Sequence, residues 1–237
     1  MTVWRVGTSG FAFKEWKGPF YPVKLKDAEM LSAYASRLPM VELNNTFYRM
    51  PQEKSLLAWA AQVPEEFRFA VKANQRITHY AQLRDTGETV AFLARTVAVL
   101  GPRLGPTLFQ LPPHLKRDLD RLERFLTELP KHWAVTVEFR HQSWFDDDRA
   151  SELLRDHGVA LCLSDQPDWQ TPQIATTTWG YARLHRFDYT EDELSDWSRR
   201  LSGFGWSEAY VVFKHDHTPG SGPLVAEAMI ARLAKLA

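Results

Sequence analysis

Short β-type runs and amphipathic segments alternate along the whole chain, and that regularity leaves few architectures open. The β-type runs fall at residues 4–6, 41–43, 67–71, 107–109, 134–139, 159–163, 181–184 and 210–213. Between them, apolar residues recur at i, i+3, i+4 spacing over 27–38, 53–62, 88–100, 117–129, 147–157, 191–201 and 224–236, the mark of helices with one buried face. Start and stop signals agree. Thr190 with Glu193 reads as a capping box, Gly101, Gly158 and Gly203 fall where helices should end, and Pro223 suits a first helical turn. About eight strands alternating with helices over 237 residues predict an α/β fold, a single (β/α)8 TIM-type barrel spanning residues 1–237. A doubly wound open sheet also alternates β and α, but no Gly-rich dinucleotide fingerprint follows the first strand, where GTSG lacks a third glycine. The stretch 166–178 is weakly helical, which predicts one irregular crossover.

The charge balance narrows the partners. Lys and Arg total 29 against 29 Asp and Glu, so the basic excess of a nucleic-acid-coating surface or a polybasic membrane anchor is missing. Hydrophobic residues make up 44% of the chain, which excludes intrinsic disorder. The lone Cys162 rules out an internal disulfide framework and any multi-cysteine metal site. No apolar run approaches the roughly 20 residues of a membrane span, and MTVWRVGTSG has no positive head before an apolar stretch. A cytoplasmic protein without membrane partners is expected. Nine tryptophans point to an aromatic core or to a pocket that stacks on flat ligands.

In a barrel of this type, catalytic groups gather at the carboxyl ends of the strands. Those ends are polar throughout this sequence. In order they bring Thr8 and Ser9, then Glu42, Asn44 and Asn45, then Lys72, then Gln110. The second half brings Glu138, Arg140 and His141, then Asp165, then Arg183 and His185, and finally Lys214, His215 and Asp216. Side chains alternate along a strand, so Val137 and Phe139 facing outward place Glu138 and Arg140 together on the inward face. The same parity pairs Glu42 with Asn44, and Arg183 with His185. A charged residue at one strand end is commonly half of a structural ion pair. Eight such ends in register call for another use, because ionisable groups in a barrel mouth are costly unless paired.

At these residues the sequence resembles a known family. GTSG at 7–10, KGPFYP at 17–22, VELNNTFYRMP at 41–51, FAVKA with ITH at 69–79, LFQLPP at 108–113, EFRHQSW at 138–144 and YARLH at 181–185 are similar to the YecE-like family, also called domain of unknown function 72. The resemblance runs in order through nearly the whole chain. It implies a TIM-type barrel and a site location, and no established activity. Phe11, Phe13 and Arg186 depart from the family's usual residues, as does the stretch 212–216, and Arg186 is expected to narrow the mouth.

The mixture of acids, permanent cations and histidines suits acid–base chemistry on a small anionic metabolite, sugar-like or phosphorylated. Glu138 or His185 would be the base, Lys72 an electrophile or charge stabiliser, and Arg140 and Arg183 the fork that clamps the anion. Asp165 completes the catalytic set. Thr8, Glu42, Asn44, Gln110, His141, Trp144, Lys214 and His215 would complete the binding set. A Schiff base on Lys72 requires a depressed pKa. The turn 217–222, running into a helix at Pro223, either holds an anion on free backbone N–H groups or is a plain Gly/Ser turn.

Other readings stay open. No cofactor is required, although Glu138, Asp165, His185 and Asp216 would suit a divalent metal ion in a metal-dependent hydrolase or isomerase. Neighbouring arginines and lysines would repel it. Trp16, Phe20, Tyr21, Phe47, Tyr48, Trp144 and Trp169 follow strands on the same side and would line a sugar or nucleobase subsite. Glu42 and Glu138 would then form a glycosidase-type pair, disfavoured by the separation of their strands around the ring. Trp4, Trp59, Trp133, Trp197 and Trp206 read as packing residues. A non-catalytic binding protein would use the same pocket. Nucleic acid ranks last, since acids interleave with the basic residues of ITHYAQLRDT and KRDLDRLERF.

Overall fold

A computed structural model describes residues 1–214 and 220–236. The strands are β1 (Val3–Ser9), β2 (Met40–Leu43), β3 (Arg68–Lys72), β4 (Leu104–Gln110), β5 (Val135–Glu138), β6 (Ala160–Gln166), β7 (Trp169–Gln170), β8 (Gly180–Leu184) and β9 (Glu208–Phe213). All but β7 are parallel neighbours, in the order β5-β4-β3-β2-β1-β9-β8-β6. A β5–β6 pairing joins the two ends and closes the ring. This is the (β/α)8 barrel that the alternation predicts.

Helices cover the outside: α1 (Met30–Ala35), the short α2 (Asn45–Tyr48), α3 (Glu53–Ala60), α4 (Gly87–Val97), α5 (Leu119–Thr127), α6 (Arg149–Asp156), α7 (Glu191–Ser202) and α8 (Ser221–Leu233). Their ends follow local chemistry. The Asp118 side chain accepts the Arg121 N–H at the start of α5. Thr190 and Glu193 form the expected capping box on α7, whose first turn is acidic and last turn basic, as the helix dipole favours. Gly158 has φ 66° just past α6, a left-handed turn that glycine adopts without steric cost. Gly203 caps the end of α7 as expected, with helical φ/ψ, and a left-handed turn follows at Gly205.

Two apolar layers result from strand alternation. Inside the ring lie Met40, Ala70, Leu108, Cys162, Tyr181, Tyr210 and Val212. Outside, residues such as Val41, Phe69, Phe109, Val137, Leu163 and Phe213 pack against the helices. Tyr34 of α1 fastens one helix to the ring: its buried hydroxyl accepts the Thr8 N–H at 2.8 Å and donates to the Met40 carbonyl at 2.9 Å. Replacing Tyr34 with Phe would remove this bridge, and a loss of about 0.5–1.5 kcal/mol is expected in urea titrations. A change within error would show that the bridge contributes nothing.

One crossover lacks a helix, as residues 166–178 predict. After β6 the chain doubles back as β7, pairing antiparallel through Asp165↔Gln170 and Gln166↔Trp169. It then runs alongside β6 to β8. The reason is visible at β6, which pairs with β5 only at Thr136↔Ala160 and Val137↔Leu161. The loop takes up strand amides itself: Thr176 Oγ1 accepts the Leu161 N–H at the second paired position, and farther on Thr171 Oγ1 accepts the Ser164 N–H. No helix among the described residues is long and apolar enough to cross a membrane.

Candidate functional site

Two residues above the inner apolar layer, each strand turns a polar side chain to the same inside surface. Met40 is followed by Glu42, Ala70 by Lys72, Leu108 by Gln110, Cys162 by Ser164, Tyr181 by Arg183 and Val212 by Lys214. Thr136 and Glu138 continue the row on β5. The alternation that builds the apolar plug therefore builds a polar layer on top of it, at the carboxyl ends of the strands.

Arg183 organises that layer. Its Nε and Nη2 donate to the two oxygens of Glu42 at 3.1 and 3.0 Å, and its Nη1 donates to Glu138 Oε2 at 2.7 Å. Both carboxylates have side chains with no solvent exposure, and that of Arg183 is 4% exposed. Glu42 also receives the Tyr181 hydroxyl at 2.8 Å. Glu138 receives Gln110 Nε2 at 2.9 Å on one oxygen, and Gln166 Nε2 at 3.0 Å and Ser164 Oγ at 3.4 Å on the other. So β2 and β5, apart in ring order, deliver their glutamates to one guanidinium, which spans the narrow barrel.

The electrostatic consequences are specific. Burial pushes the Glu138 carboxyl up, but Arg183, Arg140 and the Gln110 donor outweigh it and hold the pKa below the ordinary value. With both oxygens already accepting hydrogen bonds, Glu138 is a fixed counter-charge and a poor proton abstractor. Desolvation raises the Tyr181 hydroxyl far above its usual pKa, and Glu42 adds to the effect, so Tyr181 stays a neutral donor. His185 is driven well below the usual imidazole range, first by burial and then by Arg183 and Lys72. It is neutral at pH 7, and its buried Nε2 has no hydrogen-bond partner among the described residues.

Lys72 is the unusual cation. Burial lowers its pKa to about 8, and Arg183 pushes in the same direction. Its Nζ lies 4.2 Å from the centre of the Phe47 ring, with no carboxylate or hydrogen-bond partner among the described residues. Arg140 donates to Gln166 Oε1 at 2.9 Å and approaches Glu138 no closer than 3.9 Å, while its buried Nε lacks a hydrogen bond. Lys214, exposed, rests over Phe187 at 4.4 Å.

Several expected site residues lie elsewhere. Asp165 shares the outward face of β6 with Leu161 and Leu163. There it accepts hydrogen bonds from Arg186 Nε, Tyr189 Oη and Trp197 Nε1 at 2.9, 2.8 and 3.1 Å. Arg186 accordingly turns to Asp165 and to Glu193 of α7. Thr8 also points outward, onto Tyr34, because Val6 two residues earlier packs against the helices. Trp144 is fully buried behind the barrel, stacked on Phe139 at 4.4 Å with its Nε1 donating to the Leu115 carbonyl. Trp16, Phe20 and Tyr21 are core residues as well.

The remaining expected residues are easily placed. His141 spends Nδ1 on Ser143 in its own turn, and Asn44 sits half-buried where β2 passes into α2. Trp4, Trp59, Trp133, Trp197 and Trp206 pack against the core as expected. His215 and Asp216, and residues 217–219 of the 217–222 turn, lie outside the described residues. The proposed metal set is not assembled: Asp165 faces away, and no group of three or more His, Cys, Asp or Glu able to hold a metal occurs among the described residues. Conversely, Ser164, Gln166 and Tyr181 join the polar layer without having been singled out. Counting two residues on from Cys162 finds the first two, since parity and not position at the strand end decides the face.

Residues 5–237 match the family model described as "Protein of unknown function DUF72". Among curated relatives, YecE of Escherichia coli (strain K12) is 35% identical over 140 residues, covering 57% of this chain and 52% of that protein. The match thus spans about half the length of YecE. YunF of Bacillus subtilis (strain 168) is 26% identical over 210 residues, covering 83% of this chain and 74% of that protein. A crystal structure of a DUF72 family protein from Thermotoga maritima MSB8 superposes with a TM-score of 0.85 at 28% identity, covering 98% of this chain and 99% of that one. Another from Enterococcus faecalis V583 does so with 0.80 at 19% identity, covering 100% and 99%.

Proposed function

Since the chain belongs to the DUF72 family, a family named for its lack of an assigned reaction, we propose from its own residues that it is an enzyme that binds a small anionic metabolite at the carboxyl-end mouth of the barrel and acts on it by acid–base chemistry. One observation carries the reading: Arg183 consumes both buried carboxylates, and three further cations remain around them. Arg140 keeps donors to spare, and Lys72 and Lys214 have no carboxylate partner among the described residues. The layer is therefore net positive, in a site partly withdrawn from water where charge acts strongly. A carboxylate or phosphate ester complements it, and the planar Arg140 fork suits either. His185, neutral and with Nε2 unpartnered among the described residues, is the proton acceptor, while Lys72 and Arg140 stabilise developing negative charge.

The pH dependence tests the assignment. Lys72 contributes a full charge only below its pKa of about 8. Affinity for phosphate or a small carboxylate, measured calorimetrically, should be highest below pH 7 and fall roughly tenfold by pH 9 as Lys72 deprotonates. Replacing Arg140 with Ala should weaken the same binding by roughly 10- to 100-fold, about 1.5–3 kcal/mol for a charge-assisted contact. Flat affinity across this range, together with an indifferent Arg140 variant, would remove the anion reading.

A further inference from the structure

We propose that Lys72 is a nucleophilic amine that condenses with the carbonyl group of the anionic ligand, which makes the natural substrate class a small aldehyde or ketone bearing a carboxylate or phosphate. This rests on the anion-binding reading above and adds to it a covalent step and a required functional group.

Geometry carries the inference. Lys72 is the last residue of β3 and follows inward-facing Ala70, so its stem rises inside the ring toward the mouth. A lysine kept for charge pairing would reach a carboxylate, and the two nearby glutamates are instead held by Arg183, Tyr181, Gln110 and Gln166. Its Nζ lies over the Phe47 face, and Phe47 is itself pinned edge-on by His79 at 4.9 Å between ring centres. Among the described residues, the amine is thus positioned without a hydrogen-bond donor on its lone pair or an acceptor for its protons. Desolvation and Arg183 also favour its neutral form, bringing the pKa to about 8. Burial and the Lys72 charge also lower the pKa of His79, whose ring packs on Phe47.

The step balances without any further reagent. The Nζ lone pair forms a bond to the carbonyl carbon, the C=O π bond breaks, and the oxygen takes up a proton as the nitrogen gives one up. Departure of that oxygen as water takes a second proton, drawn from solvent, and leaves a protonated imine on Lys72. Arg140 holds the substrate's anionic group meanwhile.

The intact chain can be tested without knowing the substrate. Glyoxylate and glycolaldehyde phosphate supply the two anionic forms and propanal a neutral one, each with sodium cyanoborohydride to reduce any imine to a stable secondary amine, followed by peptide mass mapping. At pH 7 a lysine of pKa about 8 is neutral roughly 300 times more often than one at 10.5. Lys72 should therefore be labelled at least tenfold faster than exposed Lys24 and Lys54 by an anionic probe, with a pH midpoint near 8. Whichever anionic probe labels faster identifies carboxylate or phosphate as the preferred group. Equal labelling of Lys72 and the exposed lysines overturns the covalent step, even if calorimetry still finds phosphate bound and the anion reading survives. Selective labelling of Lys72 by propanal as fast as by the anionic probes overturns the substrate class and leaves the nucleophile standing. The Lys72→Arg variant should lose the fast label, and persistence of that label on another residue would also reject the assignment. The wild-type comparison does not depend on how that variant folds.

Discussion

Replacing Arg183 with methionine is expected to cost about 3–5 kcal/mol of unfolding free energy at pH 7, enough to threaten a domain of ordinary stability. The side chains of Glu42 and Glu138 have no solvent exposure, and the guanidinium supplies the cation to both. Methionine fills similar space but leaves two buried negative charges facing one another. The deficit must also depend on pH. In the native protein the Glu138 carboxyl titrates below its ordinary value, so the stability it contributes is fully present above pH 4.5 and is lost as pH falls through the lower folded value. Without Arg183 the desolvation that opposes this shift acts with less compensation, and the carboxyl titrates higher in the folded state than in the wild type. The gap between variant and wild type should accordingly be widest near pH 7 and close toward pH 4. Urea titrations at several pH values would contradict the argument if the gap stayed under about 1 kcal/mol or widened with acid.

A second large effect is expected at Asp165, with the opposite functional signature. Changing it to alanine removes the acceptor shared by Arg186, Tyr189 and Trp197. The Trp197 N–H and Tyr189 O–H would be left unpaired beneath α7. A loss of about 2–4 kcal/mol follows for a buried network broken at its centre. Asparagine, which keeps an acceptor oxygen, should lose less. Arg186 is 31% exposed, so water replaces much of its lost pairing and its own truncation should cost under about 1 kcal/mol. Phosphate affinity of the Asp165→Asn protein should stay within about twofold of wild type, because the carboxylate lies on the far side of β6 from the charged layer. A tenfold loss of affinity with unchanged stability would return Asp165 to the mouth.

The contrast between these two residues shows what the amino-acid sequence discloses. The eight barrel strands and most helices follow from hydrophobic period, and the helix-free crossover from its lack of one. Glu42, Glu138 and Arg183 could be assigned inward because their apolar neighbours fix parity. Asp165 and Thr8 are placed wrongly when position at a strand end is allowed to stand for face. Leu163 and Val6, two residues before them, pack outward and settle the question. Trp144, Trp16, Phe20 and Tyr21 are core residues for another reason. The direction of a loop after a strand depends on long-range packing such as Arg37 over the Phe20 ring, which local sequence does not announce. Nor could the meeting of Glu42 and Glu138 on one guanidinium be read, since it depends on the width of the closed ring.

The join beside β6 bears on how the barrel moves. Elsewhere in the ring, neighbouring strands are held by longer backbone ladders, whereas β6 meets β5 over two register positions and farther on leans on the returning loop, whose Thr171 hydroxyl accepts the Ser164 N–H. A join of that kind can part by local opening at a fraction of the free energy of global unfolding. Ser164 and Gln166, which steady Glu138 and Arg140, ride on the strand that would loosen. Breathing of a loop behind the barrel is thereby linked to the order of the charges inside it, so rigidity of the polar layer is borrowed in part from a threonine that grips only the backbone of Ser164.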